Sequence, residues 1–263
     1  VRGGFGFDQQ SLLQGISRIR TEALGGFNPN TIGWTGLLFL PLAPVIALAR
    51  SKQERWKWWL VFFSIVFILI FTFSRAALIG MFLTFCLLFI FLFVRTKSLK
   101  SFLIPFLISI LLLYIIWSIA LDNPYIPVNS MSSISQELEL RWSLVIAGWK
   151  LYSLNPLSGA GINVGFISHS GFIKAALEYG LLFFLMFCAA FIYFIKTSYF
   201  VAKVHSNPHV NLFAWGMLVA GIVAAIECLF GITLFSAQYA QVFWLFIGYI
   251  YLAKRDTSKS LIY

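Results

Sequence analysis

The sequence predicts an all-α, polytopic transmembrane helix bundle. Of its 263 residues, 60% are hydrophobic and only 11% are charged, whereas a soluble globular domain carries about 25% charged residues. The charges occur in short clusters, and the apolar stretches between them are long enough to cross a bilayer, for which about 20 residues suffice. We therefore expect one membrane domain covering residues 1–263 rather than a series of soluble domains.

Seven apolar stretches are predicted to span the membrane, and the last of them is the shortest. They are Thr31–Ala49, Trp56–Phe73, Ala76–Val94, Phe102–Leu121, Phe172–Ile195, Leu212–Phe235 and Gln238–Ala253. When residues 1–30 are placed outside, 12 of the 19 basic residues fall in the inner connections and the C-terminal tail. Because positive residues concentrate on the cytoplasmic side of membrane proteins, the sequence favours this orientation.

The connection between the fourth and fifth spans, residues 122–171, is the main external loop. Within it, Ser135–Tyr152 is predicted to be an amphipathic helix with Glu137 and Glu139 in its first turn. Asn155-Pro156 follows the predicted end of this helix. Its apolar stripe recurs at helical spacing and consists of Leu138, Trp142, Val145, Trp149 and Tyr152. We expect such a helix to lie along the outer membrane surface or on top of the bundle.

A glycine-rich segment, Gly159-Ala160-Gly161-Ile162-Asn163-Val164-Gly165, follows this helix in the loop. It does not come after a strand, so it is not a dinucleotide-binding fingerprint. The segment is predicted to be a tight loop whose backbone amide groups approach an anion.

Composition and charge exclude several other classes of protein. The formal net charge is +10, but the basic residues flank apolar segments and form no separate basic domain, so no nucleic-acid partner is expected. Cys86, Cys188 and Cys228 lie inside apolar runs without metal-ligand spacing, which is not the pattern of a disulfide framework or a metal site. The chain opens with Val1 rather than Met, and we expect it to be the C-terminal part of a larger membrane protein.

Several arginines lie on the predicted outer side, against the general charge trend. Arg75 sits in a tight turn between two spans, where it would either snorkel to lipid head groups or bind a lipid phosphate through its planar guanidinium. Arg141 lies beside the stripe of the external helix and would either pair with Glu137 as a solvated charge or join such an anion site. Arg18 and Arg20 precede the first span, and outer arginines from separate segments could converge on one diphosphate.

His169, in the segment Ile167-Ser168-His169-Ser170-Gly171, is the only histidine on the predicted outer side. A lone histidine is usually structural, but an imidazole beside phosphate-binding arginines also suits a general base. Glu178 and Glu227 lie within predicted spans at similar depth near the outer side, where ionisable groups are rare and often functional. Glu178 would either pair with Lys174, four residues earlier, or serve the site.

Four groups of residues carry a family resemblance. In chain order they are Arg20 with Phe27-Asn28-Pro29-Asn30, Ser74-Arg75-Ala76-Ala77, Arg141-Trp142 leading through Ala147-Gly148-Trp149 to Asn155-Pro156-Leu157-Ser158-Gly159-Ala160-Gly161, and Ser168-His169-Ser170-Gly171-Phe172 leading to Leu177-Glu178-Tyr179-Gly180. In this order, around a single long external loop, they resemble the O-antigen ligase and O-antigen polymerase superfamily of bacterial envelope glycosyltransferases. The resemblance covers roughly residues 18–195.

The resemblance implies a metal-independent glycosyl transfer on the outer face of the bacterial cytoplasmic membrane, with no cofactor and no nucleotide sugar. The implied donor is a glycan on undecaprenyl diphosphate. The implied acceptor hydroxyl belongs to lipid A–core, to a growing glycan or, in some relatives, to a protein. His169 is implied as the base that activates this hydroxyl, and Glu178 is a candidate supporting residue. The arginines implied to hold the diphosphate and stabilise it as leaving group are Arg20, Arg75 and Arg141.

The chain departs from the family pattern in two ways. Family members usually carry Asn directly after the histidine, where this chain has Ser170. They also usually have more spans than the seven predicted here, and the additional spans would precede Val1.

Two other functions compete with a glycosyltransferase. A transporter or flippase of lipid-linked glycans would carry polar residues and helix breaks along a path through the membrane midplane. In this chain the ionisable groups of the spans lie near the outer side, and the breaks that fit a transporter are Pro41, Pro44 and Pro105. A purely structural membrane subunit would leave the external arginines and His169 unexplained. The sequence leaves open the choice between ligase and polymerase, the sugar, its linkage and the oligomeric state.

Overall fold

The computed structural model describes residues 29–72, 75–96, 107, 110–111, 114, 131–161, 170–230 and 237–260. Over these residues the chain is helical and contains no strand, as the sequence predicts. The helices are α1 (Pro29–Phe39), α2 (Leu42–Ala49), α3 (Lys52–Phe71), α4 (Arg75–Thr96), α5 (Met131–Leu154), α6 (Gly171–Val204), α7 (Pro208–Phe230) and α8 (Ala237–Ser260). They form an all-α bundle of the membrane type.

Three helical stretches among the described residues are long and apolar enough to cross a membrane. They are Thr31–Ala49, Gly171–Val204 and Pro208–Leu229, with a shorter apolar helix over Ala77–Phe91. These stretches fall on the predicted first, fifth, sixth and third spans. Residues 56–71 of the predicted second span belong to α3, and the predicted seventh span lies within α8. The predicted fourth span, Phe102–Leu121, lies almost entirely outside the described residues.

The predicted first span is two helices rather than one. Helix α1 ends at Phe39, and α2 begins at Leu42 after Pro41. The break has a simple cause, because Pro41 has no backbone N–H to donate within a continuous helix. The side chain of Arg55 then donates from Nε to the carbonyl oxygen of Ala47 at 3.1 Å, which satisfies one of the last carbonyls of α2.

Close contacts at two glycines show which helices run parallel and which run antiparallel. A side chain added at Gly33 of α1 would meet Ala77 of α4, and one added at Gly80 of α4 would meet Glu227 of α7. Gly33 and Ala77 lie near the beginnings of their helices, so α1 and α4 run in parallel. Glu227 lies near the end of α7, which therefore runs the opposite way. The close approach of these helices is the packing that small residues permit in membrane bundles.

The two ends of the bundle differ in what they carry. One end holds the beginnings of α1, α4, α6 and α8 and the end of α7, and we call it the Ser170 end after the residue before α6. The opposite end holds the α2–α3 and α6–α7 connections and the last turns of α8, with Arg50, Lys203 and Lys254. We call it the Lys203 end. In the orientation that the sequence favours, the Ser170 end is external and the Lys203 end is cytoplasmic.

Helix α7 is the centre of the bundle, because it packs against α1, α2, α4, α6 and α8 and contributes residues to both apolar core clusters. One cluster joins α7 to α6 and α8 through Phe194, Ala220 and Phe243. The other joins α7 to α1, α3 and α4 through residues such as Leu37 and Val223. Large apolar side chains on other helices face outward, including Phe63, Phe67, Leu182, Met186 and Leu245. An outer surface of this kind suits contact with lipid rather than with water.

The predicted amphipathic helix is present as α5, Met131–Leu154, and it ends just before Asn155-Pro156 as predicted. The placement of Glu137 and Glu139 in its first turn was wrong, because the helix begins four residues earlier than predicted. Trp142 and Trp149 of the apolar stripe are 65% and 46% exposed. The helix packs against α6, so exposed tryptophans extend from a helix that is fixed to the bundle.

Candidate functional site

The predicted site residues differ in how far the structure describes them. His169 and Arg20 lie outside the described residues. Arg75 is the first residue of α4, and Arg141 lies within α5, but the side chains of both lie outside the described part of the structure. Glu178 is described in full. Helix α3 ends at Phe71 and α4 begins at Arg75, which confirms the tight connection predicted for this position.

Ser170, the residue after His169, caps the beginning of α6. Its hydroxyl oxygen accepts a hydrogen bond from the backbone N–H of Ile173 at 3.5 Å and donates one to the carbonyl oxygen of Cys228 at 3.3 Å. Ser170 is buried, so these bonds hold the start of α6 against the end of α7. Asn and Ser are both preferred at this capping position, so Ser170 supplies the same cap that an Asn would supply there.

Arg75 begins a helix that is held closely by two neighbours. A Cβ atom at Gly33 would lie 2.7 Å from the Cβ atom of Ala77, two residues after Arg75. A Cβ atom at Gly80 would lie 2.8 Å from Oε1 of Glu227. A side chain at Gly33 or Gly80 would therefore require its neighbours to move, and at Gly80 these neighbours are Leu37 of α1 and the carboxylate of Glu227.

Glu227 is the most unusual polar residue of this region. It is 8% exposed, and neither carboxylate oxygen has a hydrogen-bond partner among the described residues. Tyr239, at the beginning of α8, is fully buried and lies within electrostatic range of it. A buried polar group without partners lowers stability, and an ionisable group inside a membrane span is a candidate functional residue. The sequence indicated the depth of Glu227 but not its contact with the helix of Arg75.

Glu178 forms an ion pair with Lys174, at 3.5 Å between Oε1 and Nζ. This pairing is one of the two alternatives that the sequence left open. Both residues lie on the first part of α6, within nine residues of Ser170. Their pairing fixes the carboxylate of Glu178 along its own helix, as an i, i+4 pair does.

The glycine-rich segment after α5 is used to join helices rather than to present its first amide groups to an anion. The N–H of Gly159 donates to the carbonyl oxygen of Asn155 at 2.8 Å, and that of Ala160 donates to the carbonyl oxygen of Leu177 at 2.6 Å. The prediction of an anion loop was therefore wrong for these two amides. Residues 162–165 of the segment lie outside the described residues.

A kink in α6 at Gly180 makes this junction possible. Gly180 has φ 80° and ψ −176°, and Gly159 has φ 73°. The kink frees the N–H of Leu181, which donates to the carbonyl oxygen of Pro156 at 2.9 Å. We call these contacts, between residues 155–160 and 177–181, the α5–α6 junction. It fixes the helix that carries Arg141 to the helix that follows His169.

Taken in order, the contacts connect the helices that carry Arg141 and Arg75 to the helix that follows His169. The α5–α6 junction joins the helix of Arg141 to α6, the Ser170–Cys228 bond joins α6 to α7, and the Glu227–Gly80 contact joins α7 to the helix of Arg75. Helices α1, α4 and α6 all begin at the Ser170 end, where their backbone N–H groups give a positive potential. The arrangement suits an anion held between helix ends.

The described residues contain no group of three or more His, Cys, Asp or Glu side chains that could hold a metal ion. No protein-family model matches the chain, and a comparison with curated proteins finds no match either. A function can therefore be inferred only from the chain's own residues and their arrangement.

Proposed function

We propose that the chain is a membrane glycosyltransferase of the O-antigen ligase or polymerase type. It would transfer or polymerise a glycan from undecaprenyl diphosphate onto an acceptor hydroxyl, at the outer face of the bacterial cytoplasmic membrane. The observation that supports this most is the series of contacts that joins the helix of Arg141, the segment after His169 and the helix of Arg75. A diphosphate needs several cationic groups at once, and these contacts join the helices that carry two of the proposed arginines, Arg75 and Arg141.

The proposed reaction needs a base and a stabilised leaving group. His169 removes the proton of the acceptor hydroxyl, whose oxygen then attacks the anomeric carbon of the donor glycan. The bond between that carbon and the diphosphate oxygen breaks, and undecaprenyl diphosphate leaves. The guanidinium groups of Arg20, Arg75 and Arg141 stabilise the negative charge that develops on the leaving diphosphate.

Arg75→Lys tests the diphosphate contact. Lysine keeps the charge but cannot bind phosphate oxygens through two parallel N–H groups. Loss of one charge-assisted bond of roughly 1.5–3 kcal/mol corresponds to a decrease in transfer rate on the order of 10- to 100-fold. The measurement is the rate of glycan transfer per unit of protein, in membranes from a deletion strain that expresses each variant from the protein's own gene.

Arg50→Lys is the matched control for this experiment. Arg50 lies at the Lys203 end, where it pairs with Glu54 at 3.9 Å on an exposed surface. Exposed pairs of this kind contribute little, so its transfer rate is expected to remain within about twofold of the wild type. Equal rates for both variants would count against a diphosphate site at Arg75.

Glu227→Leu tests whether the buried carboxyl group serves transfer rather than stability. Since its oxygens have no hydrogen-bond partner among the described residues, leucine should leave the apparent melting temperature unchanged or raise it by a few degrees. Transfer should nevertheless decrease on the order of tenfold, the trade-off expected when an unfavourable polar group is kept for function.

Ser198→Ala is the control, because Ser198 is also a buried polar residue whose Oγ has no hydrogen-bond partner in the described part of the chain. Ser198 lies near the Lys203 end, away from the proposed site, so its replacement should leave transfer unchanged. A Glu227→Leu protein with full transfer activity would remove Glu227 from the site.

A flippase for lipid-linked glycans is the second candidate, and one observation favours it. The break between α1 and α2 lies inside the bundle, where Leu40 and Leu42 are buried and a Cβ atom at Gly216 of α7 would lie 3.3 Å from the carbonyl oxygen of Pro41. Discontinuous helices of this kind form substrate sites in transporters. Purified protein in vesicles separates the two functions: a flippase moves the lipid-linked donor across the bilayer without an acceptor, and a transferase consumes the donor only when an acceptor is present.

A further inference from the structure

An open groove of about 680 Å³ lies between α6 and α8 near the Lys203 end. Seven residues line it, of which six lie on α6 and the seventh, Lys254, lies on α8. Those on α6 are Ala189, Ile192, Tyr193, Lys196, Thr197 and Phe200. The described lining contains no acidic residue. The groove therefore has two cationic groups and otherwise mainly apolar walls.

The spans predicted from the sequence put the two lysines at the depth of lipid phosphates. Lys196 directly follows the predicted fifth span, which ends at Ile195, and Lys254 directly follows the predicted seventh span, which ends at Ala253. Each lysine is thus the first charged residue beyond the apolar part of its helix. Nζ of Lys254 also lies 5.5 Å from the ring centre of Tyr193, so the ammonium group is directed to α6 across the groove.

The rest of the groove runs towards the middle of the membrane. Ala189 and Ile192 lie one to two turns before Lys196 on α6, on the side of the hydrocarbon core. Both are exposed, and Ile192 belongs to the large apolar residues that face outward. A groove with a cationic end at the interface and an apolar wall in the core matches an amphiphile with an anionic head group.

We propose that this groove binds an anionic phospholipid. The head-group phosphate lies between Lys196 and Lys254, and an acyl chain runs along Ala189 and Ile192. A soluble anion would use the lysines but not the apolar wall, and a zwitterionic lipid would gain less from two cations than an anionic lipid does. In the orientation that the sequence favours, the lipid belongs to the cytoplasmic leaflet. The proposal does not depend on the transferase function.

Native mass spectrometry of the purified protein tests the proposal. Detergent micelles would contain phosphatidylglycerol or phosphatidylcholine, and the measured quantity is the fraction of protein that keeps a bound lipid. The wild type is expected to keep phosphatidylglycerol in clear preference to phosphatidylcholine. The double variant Lys196→Gln/Lys254→Gln should lose that preference by a factor on the order of ten or more, since each basic residue near an anionic head group contributes about fivefold.

Lys203→Gln is the matched control. Lys203 lies on α6 at the same end, with Nζ 4.6 Å from the ring centre of Tyr199, but it does not line the groove. Its replacement should leave the preference for phosphatidylglycerol unchanged. Equal losses in Lys203→Gln and in the double variant would overturn the proposal, because they would indicate a general attraction to the basic end. An unchanged preference in the double variant would overturn it as well.

Inorganic phosphate separates a lipid site from a simple anion site. In the wild type, phosphate at millimolar concentration should displace only a small part of the bound phosphatidylglycerol, because it lacks the acyl chain. Full displacement would mean that the lysines alone bind the anion and would contradict a lipid groove. Ile192→Ser provides a second variant at an exposed position, and it should weaken phosphatidylglycerol binding without affecting phosphate binding.

Discussion

Gly180→Ala is expected to lower the apparent melting temperature of the detergent-solubilised protein by about 6–12 °C. Gly180 has φ 80° and ψ −176°, a conformation that is essentially restricted to glycine and costs other residues of order 1–3 kcal/mol. A Cβ atom there would also collide with the carbonyl group of Leu157, so we expect a total loss of about 3 kcal/mol. For a protein of this size, 1 kcal/mol corresponds to roughly 2–4 °C.

Gly248→Ala is the control for this measurement. Gly248 lies within α8, and a Cβ atom at that position would meet nothing within 4 Å. Alanine is also the better helix former, so the melting temperature should stay the same or rise slightly. If both variants melted at the same temperature, Gly180 could not be the kinked position that the α5–α6 junction requires.

The Gly180→Ala change should also loosen the attachment of α5 to α6. The bond from the N–H of Leu181 to the carbonyl oxygen of Pro156 and the bond from Ala160 to Leu177 both depend on the kink. Without them, the helix of Arg141 would no longer be fixed to α6. Limited proteolysis should therefore cut the Gly180→Ala protein faster around residues 155–160 than it cuts the Gly248→Ala protein.

Most of the helical architecture could be predicted from the sequence, because it depends on local composition. An apolar run bounded by charges forms a helix wherever it meets lipid, and a stripe at helical spacing identifies α5 without knowledge of its partners. The tight connection before Arg75 follows from the same logic, since almost no polar residues separate two apolar runs. These features need no long-range contact to be recognised.

The irregular features could not be predicted, because each depends on residues far away in the chain. Gly180 lies in an ordinary helical sequence, and only the arrival of the Leu157 carbonyl group explains its conformation. Pro41 indicated a break before α2. The close packing of this break against Gly216 depends on the position of α7, which the sequence does not give. A single glycine or proline is compatible with many local conformations when only the sequence is known.

Part of the candidate site could likewise be predicted from the sequence, and part of it depends on the folded structure. Arginine and histidine on the outer side indicate phosphate chemistry from residue type alone, and this part could be proposed from the sequence. The bond from Ser170 to Cys228 and the position of Glu227 beside Gly80 required the folded arrangement of α4, α6 and α7. These contacts make Glu227 a candidate site residue. The sequence alone indicated only its depth in the membrane.

His169→Ala should cause the largest loss of activity. A positioned general base contributes on the order of 10²- to 10⁴-fold to a proton transfer, so removal of the imidazole should nearly abolish glycan transfer. The fold should tolerate the change, because the cap of α6 is supplied by Ser170 rather than by the histidine. The matched control is His209→Ala, at an exposed position in the first turn of α7, where its backbone N–H donates to Asn207 Oδ1.

The most direct measurement uses a deletion strain complemented from the protein's own gene with the wild type, His169→Ala or His209→Ala at equal membrane expression. Surface glycan is separated by gel electrophoresis, and lipid-linked intermediates are extracted in parallel. We predict that His169→Ala lacks long-chain glycan and accumulates donor on undecaprenyl diphosphate, while His209→Ala resembles the wild type. A normal glycan ladder in the His169→Ala strain would contradict the transferase mechanism and favour the flippase.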